Sequence, residues 1–260
     1  MGNQRIVVKV GTSSLIYPNG QVNLRTIDRL AYTLATLNHQ GYEMVLVSSG
    51  AIGVGLASLG LTKRPAEIAR QQALASIGQT ELMRIYSQRF LDYQTKVSQL
   101  LLTRDVLEYP VSRQHILNTI TTLLKDSVVP IINENDPVSV DELDHHTTFS
   151  DNDELSAQVA TRINADLLIV LSDIDAFYDK DPHKYPDAKP IHNVDEVTPE
   201  LEQAASGSST KFGTGGMVTK LRAATTIMKA NQKMVLCNGR DPKIIFNILD
   251  GEQIGTVFGK

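Results

Sequence analysis

The sequence predicts an α/β protein with a mostly parallel central sheet and helices over both faces. Short β-branched and leucine-rich runs alternate with segments of helical periodicity along the whole chain. Each parallel neighbour needs a long crossover, so such alternation implies parallel pairing with both faces covered. A second observation is that several of the runs stop in glycine, hydroxyl, amide or acid residues, the composition of a ligand-binding sheet edge.

The first run, Ile6-Val7-Val8-Lys9-Val10, breaks at Gly11-Thr12-Ser13-Ser14. A lysine among Ile and Val must reach solvent, pair with a carboxylate, or point at an anion that enters later. Glycine and hydroxyl residues just after it favour the anion, because turn amides and hydroxyls can surround phosphate oxygens beside an ammonium.

At 260 residues the chain is long enough for a sizeable core, and 42% hydrophobic with 21% charged residues is ordinary for a soluble enzyme. A net charge of −4 and a pI near 5.9 exclude a general nucleic-acid binder. The single cysteine, Cys237, excludes an internal disulfide and reads as a core strand residue. No apolar run approaches the roughly 18 residues of a membrane span. No signal peptide is recognised, and a cytoplasmic protein without membrane partners is expected.

In order, Tyr17-Pro18-Asn19-Gly20 is a turn, and Asn23 to Gln40 reads as a helix closed by Gly41. The strand Met44 to Val47 runs into Ser48-Ser49-Gly50-Ala51-Ile52-Gly53-Val54-Gly55, where small residues admit a close ligand. Helices are expected over Ala66 to Gly78 and Thr80 to Tyr93, a strand over Val97 to Leu102, and a helix over Ser112 to Lys125. The strand Val128 to Ile132 ends in Asn133-Glu134-Asn135-Asp136-Pro137, polar groups that need solvent or a ligand.

His145-His146 lacks metal-ligand spacing, so solvated loop histidines are expected there and no protein metal site is assigned. Asp151-Asn152-Asp153 precedes the helix Glu154 to Ala160; N-capping explains one of those three residues, not all. The strand Asp166 to Leu171 ends at Ser172-Asp173, and Val194 to Ala205 reads as a short helix. A glycine-rich stretch from Gly207 to Gly216 feeds a helix from Leu221 to Ala230 with Lys220 in its first turns, an anion site by geometry and dipole. Neither a Walker loop nor a dinucleotide fingerprint is present. Strand Met234 to Cys237, helix Pro242 to Leu249 and strand Gly255 to Phe258 close a fold read as one domain over 1–260.

Val8-Lys9-Val10-Gly11-Thr12-Ser13, Ser48-Ser49-Gly50-Ala51-Ile52, Asn133-Glu134-Asn135-Asp136, Asp151-Asn152-Asp153 and Gly213-Thr214-Gly215-Gly216-Met217-Val218-Thr219-Lys220 together resemble, in order, the motifs of the amino-acid kinase family. The resemblance is to the branch that phosphorylates L-glutamate. It implies a three-layer αβα sandwich and transfer of the ATP γ-phosphoryl group to the glutamate side chain, the first step of proline synthesis. By the same resemblance, Lys9 and Lys220 would touch the transferring group and Asp153 would organise them. Ser49, Asn133, Asp136 and Asn152 would hold glutamate, Asp136 at its ammonium, with Ser49 and Asn152 donating to a carboxylate. Lys9, Gly11, Ser172, Asp173 and Thr214, Gly215, Gly216, Met217, Val218, Thr219 and Lys220 would line the ATP site.

Mg²⁺ would accompany ATP, L-proline would be a feedback inhibitor, and the chain would form a homo-oligomer. Ser150 and Ala176 stand where the family usually has glycine, and the C-terminal RNA-binding-like domain of many relatives is not expected here. Competing readings are a sibling kinase for another acceptor, a non-catalytic amino-acid sensor and a nicotinamide oxidoreductase.

Overall fold

Strand β1 (Arg5–Val10) pairs in parallel with β2 (Glu43–Val47) on one side and β5 (Leu167–Ser172) on the other. The structure, a computed structural model, describes residues 4–138, 152–182, 184–206 and 216–260. Beyond β2 lie β4 (Val129–Glu134) and then β3 (Val97–Leu102); beyond β5 lie β9 (Lys233–Asn238), β10 (Thr256–Phe258) and β8 (Asn193–Val194). Among the described residues, only the β9–β10 pairing in this sheet is antiparallel. A separate ribbon pairs β6 (Phe177–Tyr178) with β7 (Pro190–Ile191). The described helices are α1 (Thr12–Leu15), α2 (Leu24–His39), α3 (Ala51–Ser58), α4 (Ile68–Asp92), α5 (Arg104–Glu108), α6 (Pro110–Lys125), α7 (Asn152–Arg162), α8 (Pro199–Ser206), α9 (Met217–Lys229) and α10 (Ile244–Leu249). None is long and apolar enough to cross a membrane.

Strand alternation sorts the core into two halves. Ile6, Val8, Val10, Met44, Leu46, Ile169 and Leu171 pack on one face with α2, α4 and α10 residues such as Ile27, Leu34, Tyr86, Phe90 and Ile245. Val7, Val45, Val47, Leu168 and Val170 pack on the other with Leu124, Leu155, Leu221 and Ile227 of α6, α7 and α9. The result is the expected αβα sandwich. Lys9, two residues after Val7, therefore emerges on the α7 and α9 face.

The chain winds outward from β1 to β2 on one side and to β5 and β9 on the other, so its direction reverses at β1. Ligands in such sheets bind at the carboxyl ends of the strands, at that reversal. Gly11, Ser48, Asn133 and Ser172 all lie at those ends, as the composition of the runs implied.

Several elements differ from the sequence reading. One continuous helix, α4, replaces the expected pair, because Gly78 serves as a crossing point rather than a break. A Cβ on Gly78 would lie 1.8 Å from the Ala51 carbonyl oxygen, and one on Gly55 would lie 2.1 Å from that of Leu74. Asn193–Val194 forms β8 against β10, and the helix after it starts at Pro199, where proline's fixed φ suits a first turn. Helix α6 likewise starts at Pro110, earlier than Ser112. Strand β4 runs on through Glu134 because β3 pairs with it to the end, Leu102 opposite Glu134. Helix α9 begins at Met217 rather than Leu221.

Candidate active site

The centre of the site is a buried carboxylate held between two ammonium groups. Lys9 Nζ lies 2.6 Å from Asp153 Oδ1, and Lys220 Nζ lies 3.2 Å from Asp153 Oδ2. Their relative exposures are 5%, 0% and 7% for Lys9, Asp153 and Lys220, which excludes solvated surface pairs. Three elements deliver them: β1 by its alternation, the first turn of α7, and the first turns of α9. Thr219 Oγ1 sits 3.0 Å from Asp153 Oδ2 and 2.8 Å from the Gly216 carbonyl oxygen, so its single proton serves both acceptors.

Burial alone would raise the Asp153 carboxyl. The ammonium groups of Lys9 and Lys220, with hydrogen bonds from Lys9 and Thr219, outweigh that and hold it well below the usual carboxylate range. An acid so stabilised as its anion is a poor base and a good holder of cations. Both lysines are thereby brought to opposite oxygens of one carboxylate. Arg104, just after β3, pairs with Glu154 and ties the same turn of α7 to the far side of the sheet.

Beside this centre lies a network of uncharged polar groups. Asn152 Nδ2 reaches the Ser48 carbonyl oxygen at 2.9 Å, Ser49 Oγ at 2.8 Å and Asn133 Oδ1 at 3.0 Å. Asn133 Nδ2 donates to Gln79 Oε1 at 2.8 Å, and the Glu134 amide donates to Asn133 Oδ1 at 2.9 Å. Ser48 Oγ and Tyr86 Oη share a bond of 2.9 Å. Ser49 accepts from Asn152, so its own hydroxyl proton is left to donate to a ligand.

Asn152 corrects one expectation. Its amide hydrogens point at protein acceptors, so the group it offers a ligand is the acceptor Oδ1, not a donor for a carboxylate. Asp136 lies half-buried in the turn after β4, next in the chain to Asn135, whose amide donates to the Leu102 carbonyl at 2.9 Å.

Gly11 caps α1, and a Cβ there would stand 3.6 Å from Lys9 Nζ. Ser172, buried at the end of β5, donates to Asp173 Oδ1 at 3.2 Å, and Asp173 itself is exposed. Gly216, Met217, Val218 and Thr219 form the cap and first turn of α9. Thr214, Gly215, Asp151, Ser150, His145 and His146 lie outside the described residues. Ala176, in place of the glycine common in the family, is buried.

Gln79 and Tyr86 were missed in the sequence reading. Both lie on the buried stripe of α4 with Leu74, Ala75, Gly78, Leu82, Ile85 and Phe90. A glutamine in an apolar stripe at helical spacing is the signal that would have singled out Gln79.

A sheet wound in this way, with two lysines joined by one buried acid at its carboxyl edge, defines a phosphoryl-transfer protein. The amino acid kinase family matches residues 4–238, and the chain belongs to that family. Curated relatives named glutamate 5-kinase include those of Lactiplantibacillus plantarum, 57% identical over 98% of this chain and 97% of the relative, and Ligilactobacillus salivarius, 58% identical over 99% and 96%. That of Listeria monocytogenes is 56% identical over 98% and 93%. Among solved structures, an isopentenyl phosphate kinase superposes with a TM-score of 0.69 at 16% identity, covering 98% of this chain and 99% of the other. UMP kinase from Ureaplasma parvum gives 0.65 at 15%, covering all of both chains. At such identities these two structures establish the fold alone.

Proposed function

We propose that this chain transfers the γ-phosphoryl group of ATP, entering as its Mg²⁺ complex, to the side-chain carboxylate of L-glutamate, giving L-glutamyl 5-phosphate and ADP. The glutamate acceptor rests on the whole-chain similarity to glutamate 5-kinases. The chemistry rests on Asp153 joining Lys9 to Lys220.

A glutamate carboxylate is already ionised near neutral pH, so the acceptor needs no general base. Asp153, stabilised as its anion and engaged by two lysines, matches a reaction that asks no proton of it. One acceptor oxygen attacks the γ-phosphorus, the bond to the β-phosphate oxygen breaks, and ADP leaves with that electron pair. Charge on the equatorial and leaving oxygens is met by Lys9 and Lys220, held at fixed positions before substrate arrives. The amides at the start of α9 add donors.

Gly11, Ser172, Asp173 and the segment from Thr214 to Lys220 line the nucleotide in this reading. Ser49 donates to a substrate carboxylate, while Asp136 and Asn152 Oδ1 accept from its ammonium; Asn133 supports them from behind. Mg²⁺ enters on the nucleotide phosphates in this reading, keeping most of its water ligands and needing few oxygens from the protein. The same reading takes in a single kinase domain, feedback inhibition by L-proline, a homo-oligomer and a cytoplasmic location.

The test is ADP release from MgATP with L-glutamate, L-aspartate and N-acetyl-L-glutamate in parallel, with hydroxylamine trapping the acyl phosphate. Turnover with glutamate alone and a trapped hydroxamate is the expected result. Turnover only with another acceptor would reassign the pocket, and none with any would favour a sensor.

A further inference from the structure

Two backbone groups decide which way two side-chain amides face. The Glu134 N–H can only donate, and it donates to Asn133 Oδ1, so the nitrogen of Asn133 is the end directed at Gln79 Oε1. The Ser48 carbonyl can only accept, and it takes Asn152 Nδ2. Reversing Asn152 would set its oxygen against that carbonyl and against Asn133 Oδ1, two acceptors with no proton between them. The two backbone groups thus fix the sense of a chain in which Asn152 donates to Asn133 and Asn133 donates to Gln79, and the outer end of Asn152 is an oxygen with no partner among the described residues.

The relay is nearly shut off from water at its inner end, where Gln79 is 6% and Asn133 2% exposed. An unmade hydrogen bond is expensive in such surroundings. Gln79 reaches it because Gly78 lets α4 meet the backbone of α3, leaving no room for a Cβ. The same stretch of backbone carries Ser48 and Ser49 into α3, so both sides of the network are referred to one helix crossing.

We propose that Gln79 is a positioning residue for the acceptor substrate. By accepting from Asn133 it keeps Asn133 Oδ1 turned to Asn152, and so keeps Asn152 Oδ1 outward as a recognition point for a primary ammonium. A free ammonium supplies charge and three donors to that oxygen and to Asp136; an acylated nitrogen supplies one N–H and no charge. The assignment of a primary ammonium rests on the reading of the acceptor as L-glutamate, whereas the relay itself does not.

The experiment compares Gln79→Met, which keeps length and loses the acceptor, with Gln79→Glu, which keeps an acceptor oxygen in place. Kinetics with L-glutamate and MgATP are measured alongside hydrogen exchange of the Asn133 and Asn152 side-chain amides by NMR without substrate. For Gln79→Met the glutamate KM is expected to rise about tenfold or more, while kcat and the ATP KM move by roughly threefold at most. Asn152 amide protection is expected to be lost in this variant and kept in Gln79→Glu, whose glutamate KM stays near that of the parent protein.

An unchanged glutamate KM in folded Gln79→Met, or equal rises in both variants, would overturn the proposal and leave Gln79 a space-filling residue. If Gln79→Met does not fold, the parent protein decides: fast exchange of the Asn152 amide would overturn the relay, and slow exchange kept in Gln79→Glu supports it. A parent protein inactive on glutamate but with a protected Asn152 amide would refute the substrate and uphold the relay.

Discussion

Replacing Asp153 by asparagine keeps the shape of the side chain and removes the charge that joins two lysines. The oxygens lie 2.6 and 3.2 Å from Lys9 and Lys220, and all three groups are nearly free of solvent. At an effective dielectric constant of about 20, each contact represents roughly 5–6 kcal/mol of gross attraction, most of it offset by desolvation. Removing one partner of a buried pair leaves a net cost of about 3–5 kcal/mol. For a chain of this size that lowers Tm on the order of 10 °C.

Turnover should fall about a hundred- to a thousandfold, because both ammonium groups lose the anchor that aims them. The glutamate KM should change little, since the Asn152 network does not pass through Asp153. The stability difference also has a definite pH dependence. The folded carboxyl titrates below its ordinary value of 3.8, so its contribution is complete above that pH and is lost as pH falls further. The stability gap between the parent protein and Asp153→Asn should therefore begin to narrow below about pH 4 and keep narrowing as the medium becomes more acid. Coupled ADP-release kinetics near neutral pH and denaturant melts from about pH 7 down to about pH 2 test both parts. A variant with near-parental kcat would refute the reasoning, as would a stability gap that stays constant from neutral pH into acid.

Asp136→Ala should raise the glutamate KM with a small effect on the ATP KM, read from the same coupled assay; an unchanged value would move the ammonium site elsewhere. Gly78→Ala places a methyl 1.8 Å from the Ala51 carbonyl oxygen, so α3 and α4 must separate. A loss of roughly 3 kcal/mol or more in denaturant melts is expected, together with weaker glutamate binding as Gln79 shifts. Cys237 is fully buried and burial pushes its thiol up to about 12, so the native protein should resist iodoacetamide and react only after unfolding. Rapid native alkylation would show that β9 opens readily.

Much of the fold was legible because its cause is local. Strand β1 is a β-branched run bounded by glycine, and α2 begins at Asn23, whose side chain accepts from the Thr26 amide at 3.1 Å. The unread parts had non-local causes. Gly78 reads as a helix breaker until the α3 backbone is placed against it, and Val194 reads as helical until β10 offers a strand partner. Proline at the first turn of α6 and α8 was a local signal that was overlooked.

The candidate site divides in the same way. Its residue types, and the gathering of Gly11, Ser48, Asn133 and Ser172 at one edge, follow from sequence, because parallel strands put every carboxyl end on the same side. Motif content also led to the family and to Lys9, Asp153 and Lys220. What sequence could not decide was polarity: Asn152 can donate or accept until the Ser48 carbonyl takes its amide hydrogens. Gln79, 54 residues before Asn133 in the chain, joins the site only through the crossing of α3 and α4. An amide's orientation and a helix crossing both depend on atoms remote in sequence, so only the tertiary structure decides them.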